Sequence, residues 1–167
     1  MSEEAPIQEQ GQREGVRVIA YTAAYCGTDI QRDLRDIAER SKRNNARDGL
    51  TGALLYDRGR FVQVLEGPAD RVGQAVSRIA RDNRAGTFEV IFDISARARS
   101  LPDWSMFVCE VDASQGISVA DLRRFRQAYE QSFQLDAEGF LMIVRAFTSA
   151  GARQRDVYQG GGDGGRS

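Results

Sequence analysis

An α+β fold follows from three features of this sequence. Short β-branched runs alternate with two stretches of helical periodicity in the order β-α-β-β-α-β-β. Two of the runs are separated by a turn of hairpin size. Beyond them the chain changes character and carries two amphipathic helical segments. That order predicts a five-stranded mixed sheet with the first two helices on one face, followed by a C-terminal helical hairpin.

"VRVIAYTA" (16–23) reads as the first strand, with Tyr21 as its polar tip. Thr28 with Gln31 three residues on has the spacing of a capping box and opens a helix. Ile30, Leu34, Ile37, Ala38 and Ser41 form its inner stripe. Arg32, Arg35, Asp36, Glu39, Lys42 and Arg43 form its charged outer side, the last two placed in the final turn, where the helix dipole favours cations. "LTGALLY" (50–56) and "RFVQVLEG" (60–67) flank the turn "DRG" and read as a hairpin. Pro68 suits the first turn of a second helix with Val72, Val76, Ile79 and Ala80 inward. "TFEVIFDI" (87–94) and "WSMFVCEV" (104–111) supply the last two strands. Ser118 and Asp136 cap two further helices, whose apolar faces need the free face of the sheet or a second subunit. The arrangement is ferredoxin-like with one extra strand.

With 41% hydrophobic and 28% charged residues among 167, the chain supports one domain, roughly residues 16–149. Segments 1–15 and 150–167 lack the apolar content to offset ordering entropy and are expected to be disordered tails. A net charge of −1 gives no footprint for direct nucleic-acid or membrane binding, and no apolar run reaches spanning length. Cys26 and Cys109 read as free thiols of a cytoplasmic protein. The chain has no histidine, so Ser-His-Asp and Cys-His nucleophiles and histidine metal sites are excluded. No CxxC pair is available for structural zinc, and no metal is expected. Neither a strand–GxGxxG–helix unit nor GxxxxGK[ST] is present.

One residue does not fit a core strand. Phe61, Gln63 and Leu65 share a face of the third strand, and Gln63 puts a carboxamide between two apolar neighbours. Asn44 and Asn45 lie seven residues beyond Ile37 and Ala38, so they continue the inner stripe of the first helix toward the same sheet. Unpaired, each buried amide would cost about 1–3 kcal/mol. The amides satisfy one another, or Asn45 caps the helix, or the three surround a flat neutral ligand with alternating donor and acceptor edges such as a flavin, pterin or nucleobase. Tyr21 is either a core phenol bonded to an amide or a redox-active phenol beside an oxidising cofactor. Glu66 is expected to bond near the start of the second helix. Trp104 and Met106 read by default as packing.

The blocks "VIAYTA", "RNNARDGLTGALLY", "RFVQVLEGP", "RDNR" and "WSM", in this order and spacing, resemble the BLUF domain, the family of blue-light sensors using flavin. The resemblance covers about residues 16–112, leaving 113–149 as a helical extension similar to that of short, stand-alone members. It implies a blue-light photoreceptor holding FAD non-covalently, with FMN or riboflavin as alternatives. By motif, Tyr21 is the phenol that gives an electron and proton to the excited flavin, and Gln63 is the amide that switches between Tyr21 and the flavin edge. Asn44 and Asn45 hold the cofactor, and Arg84 lies near its phosphate end. Trp104 and Met106 are the mobile pair that passes the change outward. Three positions depart from the pattern: Ala23 for a serine, Ala85 for a histidine and Leu101 for an aromatic. The first bears on hydrogen bonding near Tyr21, the second on cofactor retention.

The expectation is a non-enzymatic sensor with no cyclase or phosphodiesterase domain attached. Its output passes by contact, to a separate effector protein or through a homo-oligomer. The rival readings are a small flavin-dependent oxidoreductase and a cofactor-free ferredoxin-like interaction module.

Overall fold

The computed structural model describes residues 15–111, 118–130 and 136–153. Most of the two expected tails lies outside them. The strands are β1 (Val16–Tyr25), β2 (Thr51–Asp57), β3 (Arg60–Gly67), β4 (Ala85–Ala96) and β5 (Phe107–Glu110). Helices α1 (Ile30–Asp48) and α2 (Ala69–Ile79) are interleaved with them, and α3 (Val119–Glu130) and α4 (Ala137–Arg153) follow. The sheet order is β4-β1-β3-β2-β5, antiparallel throughout except that β5 runs parallel to β2. This is the predicted five-stranded mixed sheet.

The β2–β3 hairpin turns through Arg58 (φ 46°) and Gly59 (φ 83°), the left-handed pair that matches strand twist. At Gly52 a Cβ would stand 2.1 Å from the Val64 carbonyl oxygen, so only glycine admits this approach of β2 to β3. Ser118 and Asp136 cap α3 and α4 as expected, accepting from the amides of Asp121 (3.1 Å) and Gly139 (2.8 Å).

Several local expectations are corrected. The cap of α1 is Asp29, whose carboxylate accepts from the Arg32 amide at 3.1 Å, and not Thr28: the acidic side chain stands one residue nearer the first turn. α1 also runs past Lys42 and Arg43 to Asp48, because nothing in "RNNARD" breaks a helix before Gly49 adopts φ 67°. Asn45 is thus inside the helix and is not a cap. Of the expected α2 stripe, Val72 is buried and Ala80 exposed, while Ala75 takes a core position. β5 begins only at Phe107, so Trp104 and Met106 belong to the segment leading into it. α4 continues to Arg153, past the expected boundary at 150.

Two apolar clusters form, one on each face. Ile19, Tyr21, Leu54, Phe61 and Leu65 meet α1 and α2 through Leu34, Val72 and Ala75. Val18, Ala20, Ala53, Leu55, Val62 and Val64 meet the C-terminal helices through Leu122, Phe125, Phe140, Val144 and Phe147. The face left free by α1 and α2 is therefore covered within the chain. The alternation of β3 assigns Phe61, Gln63 and Leu65 to the first cluster's face and Val62 and Val64 to the second's.

Candidate functional site

Between α1 and α2, over the middle of the sheet, lies a cavity of about 160 Å³. Tyr21 and Gln63 form part of its floor, side by side in the β1–β3 ladder. The Tyr21 hydroxyl donates to Gln63 Oε1. The other end of the amide, Nε2, faces Met106 Sδ at 3.9 Å, a weak acceptor. Gln63 thus lies between a good partner and a poor one.

Tyr21 is 1% exposed, and its ring stacks on Phe88 with centroids 4.2 Å apart. The β1–β4 register slips between Ala20 and Tyr21, a bulge at the phenol's own position. Burial pushes this phenol well above its ordinary pKa, so it is a protonated donor at neutral pH.

Asn44 and Asn45 line the α1 wall. The Asn45 amide donates to the Ser105 carbonyl at 2.7 Å. Asn44 is half-buried and makes no side-chain hydrogen bond among the described residues. The three amides therefore share one cavity without pairing with each other, which removes the reading in which they merely satisfy one another. Asn45 and Gln63 converge on the short run Ser105–Met106. Met106 is buried on the cavity face, whereas Trp104, half-buried, packs on the opposite cluster and meets Phe107 edge-on at 5.0 Å. The two residues are divided between the faces of the sheet.

The open end is charged. Arg40, Arg78 and Arg84 line it together with Asp82. Arg84 is already engaged, donating to Asp82 (2.7 and 2.9 Å) and Asp36 (2.7 Å), and Arg78 donates to Asp48 at 2.8 Å. Asp82, outweighing the desolvation of Arg84, and then Asp36 hold its guanidinium above its ordinary pKa. The charge run of α1 had suggested only a solvated face, yet Arg40 lines the cavity beside Ser41, a member of the expected inner stripe. Helical spacing from Ile37 was the signal that could have found Arg40.

Glu66 is also placed differently from expectation. Its oxygens take the amides of Ser100 (2.8 Å) and Leu101 (2.9 Å), far along the chain from α2.

A buried end with neutral amides, a phenol and the apolar walls Ile37, Leu54, Phe61 and Ile79 suits a flat heteroaromatic ring. A rim of guanidinium groups suits a phosphate-bearing tail. The donor set therefore fits a flavin.

The family model described as "BLUF: Sensors of blue-light using FAD" matches residues 17–107. The photoactivated adenylate cyclase subunit beta-like protein FB of Euglena gracilis is 34% identical over 77 residues, 46% of this chain and 9% of that protein. This chain thus corresponds to about a tenth of that curated relative's length. A dark-state structure of BlrB, a BLUF protein, superposes with a TM-score of 0.66 at 25% identity, covering 83% of this chain and 98% of that one. The photo-activated state of BlsA gives 0.67 at 20% identity, over 80% and 94%.

Proposed function

Because the chain belongs to the BLUF family of blue-light sensors that bind flavin, we propose that its photoswitch is the pair Tyr21 and Gln63 and that it signals by contact without turning over a substrate. The observation that carries this reading is the hydrogen bond from the buried Tyr21 hydroxyl to Gln63 Oε1 in the floor of the amide-lined cavity. When bound, the flavin supplies a blue-absorbing ring that becomes strongly oxidising on excitation.

Tyr21 is the electron and proton donor, and its proton already points at Gln63. Gln63 has a donor at one end and an acceptor at the other, so turning or tautomerising the amide exchanges the two toward the ring. No charge is buried in either arrangement, which keeps the two states close in free energy. Asn44 and Asn45 hold the ring's polar edge. Arg40, Arg78 and Arg84 supply cations for the phosphates of FAD, the form the family description names. Trp104 and Met106, one on each face, carry the change toward α3 and α4.

The exposed apolar side chains of Val119 and Met142 on those helices favour an effector protein or a second copy as recipient. The domain reading is a sensor body over 16–112 with the helices of 113–149 as its output element.

The test is an absorption spectrum of the purified protein in the dark, after a blue flash, and during dark recovery. A reversible red shift of the flavin bands, lost in Gln63→Leu and in Tyr21→Phe, is the expected result. Bleaching without a shift would point to redox turnover and overturn the switch.

A further inference from the structure

We propose that Glu66 is a positioning residue of the photoswitch: it pins the start of the segment Ser100–Met106, and through that segment sets where Met106 and the Ser105 carbonyl stand against Gln63 and Asn45. The inference rests on the switch reading above and adds a residue to it.

Glu66 lies three residues after Gln63 on β3, so its side chain leaves the opposite face of the strand. It is fully buried, a costly place for a carboxylate unless its oxygens are used. They are used by backbone amides, Ser100 N–H on Oε1 at 2.8 Å and Leu101 N–H on Oε2 at 2.9 Å. Such charge-assisted bonds are about twice as strong as neutral ones. Arg99 braces the same spot, donating to the Gly49 carbonyl (2.6 Å), the Glu66 carbonyl (3.1 Å) and the Thr51 hydroxyl (2.8 Å). The loop is thereby tied to the ends of α1, β2 and β3.

From this anchor the segment runs straight into the switch. The Trp104 amide donates to the Leu101 carbonyl at 3.4 Å, and the Trp104 carbonyl accepts from Gly52 at 2.8 Å. Next come the Ser105 carbonyl, bonded to Asn45, and Met106 Sδ, 3.9 Å from Gln63 Nε2. A thioether is too weak an acceptor to fix its own distance from an amide. Where Met106 stands depends on where its backbone is held, and one end of that backbone is held by Glu66. In dark recovery the Gln63 amide resets against Met106, so loosening the anchor lowers the hindrance to that step.

Glu66→Gln leaves one amide oxygen for two N–H donors and sets an NH₂ against the other. Dark recovery after a blue flash is expected to accelerate about three- to tenfold, while the red shift keeps its size. In a Met106→Ala background, adding Glu66→Gln should leave recovery unchanged, although thermal unfolding falls equally in both backgrounds. A residue that only stabilises the loop would alter unfolding without this dependence on Met106.

Arg99→Met, at the half-buried brace, should act in the same direction by about two- to threefold; it decides the matter if Glu66→Gln does not fold. Recovery unchanged in the variants, or accelerated alike with and without Met106, overturns the role of Glu66 alone. A wild-type protein that binds flavin and never shifts overturns the switch itself, and this inference with it.

Discussion

The two faces of the sheet are held by different physics. At the buried end of the cavity the polar groups are neutral and sparsely bonded: Tyr21 to Gln63, Gln63 weakly to Met106, Asn45 to a carbonyl, and Asn44 to none of the described residues. On the other face Phe125, Phe140 and Phe147 are fully buried and pack ring to ring, with Phe125 and Phe147 centroids 4.9 Å apart. Beside them Asp57, 1% exposed, is gripped by Arg126 at 3.0 and 3.1 Å and by the Tyr129 hydroxyl. Exchanging partners among neutral hydrogen bonds involves terms of about 1 kcal/mol each. Rearranging an aromatic core or a buried ion pair involves several times that. Strand β3, which carries Gln63, serves both faces as β1 and β2 do, so a small event on the first can press on a stiff layer on the second.

The strongest way to break that division is Phe125→Ala. Truncating a buried phenylalanine costs about 3–5 kcal/mol, which denaturant unfolding would register as a lower midpoint. If the faces are separable, the protein that remains folded keeps its flavin and the same red shift. A red shift lost while the sheet stays folded would show that the helix layer helps build the cavity.

Next in size is Asp57→Asn, which removes the charge from a carboxylate bonded to Arg126 and Tyr129. Hydrogen bonds to charged groups are worth about 1.5–3 kcal/mol, and a loss in that range is expected at neutral pH. Burial alone would raise the Asp57 pKa, but Arg126 and then Tyr129 outweigh it and hold it below the ordinary carboxyl value of 3.8. A lowered folded-state pKa means stability that is present above the unfolded value and lost as pH falls through the folded one. Asp48, lowered to about 2 by Arg47 against its own desolvation and then by Arg78, follows the same sign. Wild-type stability should therefore fall from about pH 4 downward, and Asp57→Asn should flatten part of that slope. An equal slope in the variant would place the acid sensitivity elsewhere.

The contrast between faces was only half legible in the sequence. Period-2 alternation in "RFVQVLEG" put Gln63 on one row and Val62, Val64 and Glu66 on the other, and helical spacing from Ile37 and Ala38 reached Asn44 and Asn45. The structure brings those residues to one cavity. Side chains whose partners are backbone atoms left no such trace. Asn45 meets the Ser105 carbonyl and Glu66 meets two loop amides, and any residue at 105, and any but proline at 100 and 101, could have supplied them. The ion pair of Arg84 with Asp36 was hidden for another reason: Asp36 is 48 residues away in the chain, and only the packing of α1 brings it to 2.7 Å. The division of Trp104 and Met106 between faces follows from β5 starting at Phe107, a boundary that the apolar run "WSMFVCEV" blurs.

The smallest stability effect should accompany the largest functional one. Tyr21→Phe removes one neutral hydrogen bond and leaves the ring stacked on Phe88, for a loss of about 0.5–1.5 kcal/mol. Gln63 Oε1 then loses its donor, and the cavity loses its buried phenol. Thermal unfolding close to wild type with no red shift is the expected pairing. An alkaline titration sharpens the point. Burial raises Tyr129 to about 12, with its bond to Asp57 adding to the effect, and burial followed by the bond to Asp33 takes Tyr25 to about 12 as well. Tyr21 is raised by burial alone, so its proton is kept by burial and not by a carboxylate. The Tyr25 and Tyr129 share of the phenolate absorbance should therefore rise near pH 12, Tyr21 should add nothing until the fold is lost, and Tyr21→Phe should leave the titration of the folded protein unchanged. If the variant lowers it, the phenol reaches solvent in the folded protein, and the inner end of the cavity is not the enclosed, neutral layer that sets it apart from the other face.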